Sequence, residues 1–383
     1  MGEKGLDALL LCGFPCKWDY TLANARFVTE IGGNAAFNFV IFPLEGEPTS
    51  LILMPTFVDY WKRAQDWVQD IRPKKASWAQ TIVSRLTELG LQRGNIGVDG
   101  LANSLDPDGW FPHSTYVRVR ELLPGANFAS IGDMLEKMRA VKSPEEIGFL
   151  EKAAALGDMM LDACRQTARP GVRECEVYGK MMETMISNGG EEPTLFLWAA
   201  DAHPLPHPFR LPTMRALEKG DIITCEMHPK YGGYFTHVER TFSLGEPARQ
   251  YISIYEGCLK TYNRGLELFQ PGAKITEAMD EVKATIKGLG FDICEAGIHG
   301  HGLSSQEYPR YRTHALPGAD ADALRSIEDK LLLGMVFAFN IDLVDPKWRK
   351  GQTGSVFGET ILITERGPRS MHRFPVDFQI IPC

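Results

Sequence analysis

Apolar positions in the first third of the chain fall into two alternating kinds of run. Residues 6–11 (LDALLL) and 37–42 (FNFVIF) are short, nearly continuous apolar stretches of strand length; the turn LEGEPTS follows, and SLILM opens another such run. Residues 57–70 and 78–89 instead place apolar side chains at helical spacing, and NIGVDG at 95–100 reads as a strand ending in a turn. Strands alternating with helices predict a small α/β domain.

The pattern changes across residues 130–143. Ser143 is a helix cap, Pro144 suits the first helical position, and Glu145 and Glu146 sit where the helix dipole favours negative charge. Amphipathic helices are predicted over 144–168 and 172–188 ahead of strands through 242. Two more, over 248–267 and 274–289, precede strands through 364. Pro170-Gly171 and Pro271-Gly272 punctuate the two helix pairs at equivalent places. The chain therefore reads as an α/β (α+β) protein of two domains, 1–135 and 136–383, the second with a coarse internal repeat. Its 383 residues, 44% hydrophobic, suffice for a substantial core and favour two domains over one.

Composition narrows the function classes. A formal net charge of -8 without long acidic or basic blocks points to neither a nucleic-acid groove nor a membrane surface. The N-terminal MGEKGLDALLLCGFP has only a short apolar run and no cleavage-site pattern, and no apolar stretch approaches membrane-spanning length, so a cytoplasmic location is expected. The eight cysteines are scattered, with Cys12 and Cys16 the nearest pair, and read as reduced, mostly buried thiols.

The chemistry concentrates in GDIITCEMHPKYGGYFTHVERTFSLG, residues 220–245. Ile222, Ile223, Tyr234, Phe235, Val238 and Phe242 supply the content of two strands, and Pro229 with Gly232-Gly233 the reversal between them. Glu226, His228, His237 and Glu239 lie along this hairpin. A hairpin can bring odd-spaced residues of its two strands to one face, so Glu226 and His237 are expected to converge, with Glu239 beside His237.

This stretch resembles the core hairpin of the pita-bread superfamily, which contains methionine aminopeptidase, prolidase, aminopeptidase P and creatinase. The resemblance covers essentially the whole chain. It implies a creatinase- or prolidase-like N-terminal domain and a pseudo-twofold pita-bread domain with the site between its halves. IGDMLEKMRAVKSPEEIGFLEKAA resembles the entry to that second domain. In the metallopeptidases of the superfamily the hairpin carries two aspartates as metal ligands; Glu226 and His237 occupy those positions here. In IHGHGLSSQEYPRYR, His299 falls at the ligand histidine and Gln306 at the second, usually catalytic, histidine, while His301 reads as a packed residue. GMVFAFNIDLVD places Asn340, and TGSVFGETILITERG places Gly358, where the two ligand glutamates belong. Glu359, one step along a regular strand, faces the other way.

Too few hard oxygen donors remain to hold two divalent ions together. No cofactor is expected, although Glu226, His237 and His299 retain a carboxylate-plus-two-histidine set for a single divalent ion. Creatinase, a relative that works without metal, shares Pro229, Gly233-Tyr234 and Glu239-Arg240-Thr241. The resemblance thus assigns catalysis to His207 (in DAHPLPHPFRLP), His299 and Glu239, with His207 as general acid and base. It assigns substrate binding to Glu226, His237, Asn340 and Arg310, the last as a carboxylate anchor. Arg26 falls where creatinase sends a residue into the partner's active site, which implies a homodimer. Trp198, Phe196 and Phe209 are either an aromatic pocket wall or core. The expected function is hydrolysis of a carbon-nitrogen bond in a small polar, carboxylate-bearing substrate. Alternatives are a carbon-carbon or carbon-sulfur lyase, a mononuclear metal-dependent Xaa-Pro peptidase-like hydrolase, and an inactive binding module.

Overall fold

The computed structural model describes every residue except Cys16, Asn34, Ala35, Leu105, Thr194, Leu205, residues 207–210 and residues 315–328. The chain divides into two compact units, Met1–Met138 and Arg139–Cys383.

The first unit runs β1 (Ala8–Gly13), α1 (Tyr20–Thr29), β2 (Asn38–Pro43), β3 (Thr49–Ile52), α2 (Thr56–Ala64), β4 (Asp70–Pro73), α3 (Trp78–Glu88), β5 (Asn95–Val98), α4 (His113–Leu122) and β6 (Asn127–Ser130). A short helix, α5 (Met134–Arg139), follows. Its six strands lie in the order β4-β3-β2-β1-β5-β6. The central strand explains why apolar runs here are continuous rather than alternating. Ala8, Leu10 and Cys12 point into one apolar cluster and Leu9 and Leu11 into another, so both faces are covered. The helical spacing over 57–70 outruns the helix. α2 stops at Ala64 because the Gln65 side chain accepts from Val68 N–H at 2.7 Å and donates to Val68 C=O at 2.9 Å, turning the chain into β4.

The second unit opens with α6 (Pro144–Thr167) and α7 (Glu174–Ser187). At the start of α6, Ser143 and Glu146 close a reciprocal capping box. Then come β7 (Phe196–Asp201), β8 (Ile222–Met227), β9 (Lys230–Tyr231), β10 (Tyr234–Phe235), β11 (Val238–Leu244), α8 (Arg249–Leu268) and α9 (Ile275–Leu289). The unit closes with β12 (Asp292–Gly300), β13 (Glu307–His314), β14 (Val336–Val344), β15 (Gly354–Thr364), β16 (Gly367–Ser370) and β17 (Gln379–Ile381). Seven of these strands form the path β13-β12-β14-β15-β11-β8-β7, with β16 on β15 and β17 on β11. Gly232 and Gly233, at φ 56° and 86°, make the reversal of the β9–β10 ribbon at the tip of the predicted hairpin.

Alternation along the strands sorts this sheet into an apolar and a polar face. Ile223, Cys225, Phe242, Phe337, Phe339, Ile341, Phe357 and Ile361 enter two large core clusters. The opposite face carries a cross-strand row fixed by register: Leu197, Glu226, Glu239, Gly358, Asn340 and Gly297. The two halves of the sheet meet within this row, where β11 pairs with β15 at Glu239 and Gly358. Trp198 lies on the apolar face, fully buried, with its indole N–H donating to Glu174 at 3.1 Å. Of the two readings for the aromatic residues, the core one therefore holds for Trp198.

Candidate active site

The polar face is built by residues two apart on neighbouring strands. Glu226 near the end of β8 and His228 just beyond it share a face, as do His237 and Glu239 on the returning strand. Glu226 and Glu239 are direct cross-strand partners. His237 lies just ahead of β11, where a hydroxyl holds its backbone: Thr360 Oγ1 accepts from His237 N–H at 2.7 Å and donates to its carbonyl at 2.8 Å.

Glu226 Oε1 is 2.9 Å from His228 Nε2 and 3.5 Å from His237 Nε2, and Glu239 Oε1 is 3.4 Å from His237 Nε2. All four side chains are buried. Burial alone would push the His237 imidazole down, but the Glu239 and Glu226 carboxylates beside it lift it to about 9. The expected convergence of Glu226, His237 and Glu239 is thus a feature of the hairpin.

One ligand atom from each of Glu226, His228 and His237 lies within 4.8 Å of the other two, a set that could hold a metal ion. His228 had no role in the sequence reading. The signal for it was the two-residue spacing from Glu226, which places both side chains on one face of a strand. His299, read as the ligand from the resemblance, is buried on the same polar face, with its ring centre 5.6 Å from that of His237 and 6.3 Å from that of His228. It is not among the three converging residues. His301, read as packing, is also fully buried, with ring centres 4.9 Å from His299 and 5.3 Å from His228.

Further along the row, Asn340 donates from its amide to Glu239 Oε1 at 3.4 Å. Asp342 and Glu295 are cross-strand partners one step beyond, both buried. Burial, together with the carboxylates of Glu239, Glu295 and Glu226, pushes the Asp342 carboxyl well above its usual range. Arg310 is the direct partner of His299 on edge strand β13; it is 3% exposed and donates to the Gln306 carbonyl at 2.9 Å. Glu359 points away from this face, as expected. It pairs with the buried Arg240 guanidinium, which also lies over the Phe357 ring at 4.7 Å. Arg26 lies on α1 of the first unit and is half-buried, its side chain against Gly32. His207 and Phe209 lie outside the described residues.

A family that uses two metal ions would need side-chain donors where this sheet has Gly358 and Asn340. A Cβ added to Gly358 would meet His237 Cε1 at 2.4 Å and Glu239 Oε2 at 2.7 Å, so the His237 ring and a longer side chain at 358 exclude each other. The residues present fit one ion and not a carboxylate-bridged pair. The expectation that no cofactor is used finds no support in this donor set.

A polar, ionisable face at the junction of two helix-backed half-sheets, in a chain that also carries an α/β N-terminal unit, defines a two-domain pita-bread protein. Residues 148–365 match the Metallopeptidase family M24 and residues 1–141 the Creatinase/Prolidase N-terminal domain, and the chain belongs to that family. It is 28% identical over 271 residues to the Xaa-Pro dipeptidase of Pyrococcus furiosus, covering 70% of this chain and 73% of that one. It is 25% identical over 318 residues to the creatinase of Bacillus sp., covering 81% and 72%. Among solved structures, the Xaa-Pro dipeptidase from Bacillus anthracis matches with a TM-score of 0.78 at 22% identity, over 99% of this chain and 96% of that one. Among the described residues no helix is long and apolar enough to cross a membrane.

Proposed function

We propose that this chain is a metal-dependent hydrolase that cleaves a carbon-nitrogen bond in a small, carboxylate-bearing substrate of the Xaa-Pro dipeptide class. The observation that carries this reading is the buried convergence of Glu226, His228 and His237 on the polar face of the sheet. It favours the peptidase-like alternative over metal-free, creatinase-like chemistry, as does the likeness to Xaa-Pro dipeptidases. Glu226, His228 and His237 would hold a divalent ion, which when bound would supply Lewis acidity toward the carbonyl of the scissile bond.

The remaining work falls to the chain's own groups. Glu239, steadied by the Asn340 amide, is placed to take a proton from an attacking water. Glu239, protonated in that step, can pass the same proton to the leaving nitrogen as the carbon-nitrogen bond breaks. The Arg310 guanidinium, at the sheet edge on the same face, suits bidentate capture of a substrate carboxylate. His207 as proton donor remains part of the proposal through the resemblance alone.

The test is turnover of an Xaa-Pro dipeptide panel and of creatine by purified protein, before and after chelation, with metal content measured on the same samples. Xaa-Pro hydrolysis that disappears with the metal and returns on adding one ion per chain is the expected result. Undiminished turnover of either substrate in metal-stripped protein would overturn the reading.

A further inference from the structure

The two halves of the second unit's sheet join where β11 meets β15, and these strands share one register pair, Glu239 with Gly358. On either side of that pair a threonine hydroxyl spans the join. Thr360 lies two residues beyond Gly358, and its Oγ1 accepts from the His237 N–H at 2.7 Å and donates to the His237 carbonyl at 2.8 Å. Thr241 lies two residues beyond Glu239, and its Oγ1 accepts from the Val356 N–H at 3.1 Å and donates to the Val356 carbonyl at 3.0 Å. The two bridges stand at equivalent places about the Glu239 and Gly358 pair, and both threonines are fully buried.

What each hydroxyl holds is different. Val356 carries a buried apolar side chain, whereas His237 brings an imidazole to the candidate metal site. A histidine that binds a metal is ordinarily oriented by a hydrogen bond at its other ring nitrogen. His237 turns Nε2 toward Glu226 and Glu239, at 3.5 and 3.4 Å, and its Nδ1 has no hydrogen-bond partner among the described residues. The place of the ring therefore depends on the main chain that carries it. That main chain lies just ahead of β11, outside the regular strand, and the Thr360 hydroxyl occupies both its N–H and its carbonyl.

We propose that Thr360 is a positioning residue for the metal site. Its hydroxyl fixes the main chain at His237 and thereby sets where the imidazole meets Glu226 and His228, while Thr241, its counterpart across the join, serves the sheet alone. The inference rests on the metal-dependent reading above and deepens it. A hydroxyl can accept and donate at once, which is what holding both polar groups of one residue requires. Valine has the shape of threonine without that capacity, so Thr360→Val removes both bonds together, and Thr360→Ser keeps them.

The test compares Thr360→Val with Thr241→Val in the full-length chain, since each removes one bridging hydroxyl at an equivalent place. Metal-stripped protein is titrated with cobalt(II) and followed by visible absorption. Before metal is added, the His237 ring signal, assigned with His237→Asn, is followed by nitrogen NMR of histidine-labelled protein. Support consists of cobalt binding weakened about tenfold or more in Thr360→Val, recovered in Thr360→Ser and unchanged in Thr241→Val, with the metal-free His237 signal displaced in Thr360→Val alone. An unmoved His237 signal in Thr360→Val, or cobalt binding weakened alike in both valine variants, would overturn it. Thr360→Ala removes the same hydroxyl and takes the place of Thr360→Val in both measurements if the valine variant does not fold. Xaa-Pro hydrolysis and metal uptake by unaltered protein are measured in parallel. Failure of unaltered protein to take up cobalt removes the functional reading, and the metal-free ring signal then still decides whether Thr360 places His237.

Discussion

Strand β1 of the first unit and strand β11 of the second are both buried along their whole length, but they bury different chemistry. β1 reads ALLLCG and meets apolar clusters on both faces. β11 reads VERTFSL and places Glu239 and Thr241 on one face and Arg240 and Phe242 on the other. Burying β1 is favourable at about 25 cal/mol per Å² of apolar surface, whereas each charge of β11 costs several kcal/mol unless it is matched. Arg240 shows a structural solution. It donates to the Glu239 and Gly358 carbonyls at 2.8 and 3.0 Å, pairs with Glu359 and lies against the Phe357 ring. On the opposite face carboxylates crowd together: Glu226, Glu239 and Glu295 stand near Asp342 and push its carboxyl up. Buried polarity arranged for stability is thus distinguishable from buried polarity arranged for a ligand, and substitutions in the two sheets can test the distinction.

The largest expected effect belongs to the matched class. Glu307 is fully buried and pairs with Arg139 and with Lys142 at 3.1 Å, and it also accepts from the Ser304 N–H at 3.0 Å. Burial would raise its carboxyl, but the two cations hold it below the usual carboxylate range. Glu307→Gln removes the buried negative charge that Arg139 and Lys142 share and should destabilise the second unit by about 3–5 kcal/mol, read as a shift in denaturant midpoint. A loss under about 1 kcal/mol would place this triad with weak surface pairs and erase the contrast.

A pair of glycines sharpens the comparison at the next level. A Cβ on Gly97 in β5 would meet Ile131 Cγ2 at 2.6 Å and Leu6 and Leu9 side chains at 2.9 Å; on Gly358 it would meet the His237 ring and Glu239. The same substitution should therefore have different consequences. Gly97→Ala overpacks an apolar core and should cost about 1–3 kcal/mol of stability with metal binding unchanged. Gly358→Ala should cost less stability but displace His237, lowering metal affinity about tenfold or more. Equal stability losses and equal metal affinity in the two variants would show that Gly358 is spaced for packing alone.

The same two faces explain how far the sequence could be read. Helix α6 was legible from Ser143, Pro144 and Glu146, because a capping box is local chemistry. The hairpin was legible from its glycine reversal, and with it the meeting of Glu226, His237 and Glu239. His228 was given no role and His301 was read as packed; the cross-strand register that brings His237 beside His228, and the irregularity at His299 and Gly300 just ahead of His301, are not visible in apolar spacing. Arg240 adjoins Glu239 in sequence, yet neighbours on a strand face opposite ways, and it pairs with Glu359 on the next strand. Helix α2 ends early through the Gln65 side chain, a local competitor that apolar spacing does not reveal.

A smaller effect is expected where charge is partly solvated. Asp70 in β4 is contacted by Arg72 at 2.6 Å and Arg85 at 3.4 Å and accepts from the Thr49 hydroxyl at 2.8 Å. Burial opposes ionisation there, but these partners hold its carboxyl below the ordinary value. A depressed carboxylate contributes stability above its unfolded pKa and loses it as pH falls through its folded pKa. Asp70→Asn should therefore weaken hydrogen-exchange protection of β3 and β4 by no more than about 1 kcal/mol near neutral pH, allowing for screening. The difference should shrink as pH falls below the ordinary carboxylate range and vanish once the folded carboxyl itself is protonated. A difference that persists in acid would assign the effect to the lost hydrogen bond from Thr49.

The smallest effect should carry the opposite sign. Thr224 lies on the polar face opposite Thr241, fully buried, and its hydroxyl has no hydrogen-bond partner among the described residues. Valine has the same shape and removes a polar group that folding desolvates without return. Thr224→Val should leave stability unchanged or raise it by up to about 1 kcal/mol, measured by thermal unfolding of the whole protein. Strand β1 of the first unit offers no comparable gain, since it already presents only apolar side chains. Unchanged or raised stability combined with a lower kcat/KM would mean that the hydroxyl is kept for the substrate. A clear loss of stability would instead mean that the polar face is packed as tightly as the apolar one, and the difference between the two sheets would then be one of composition without consequence.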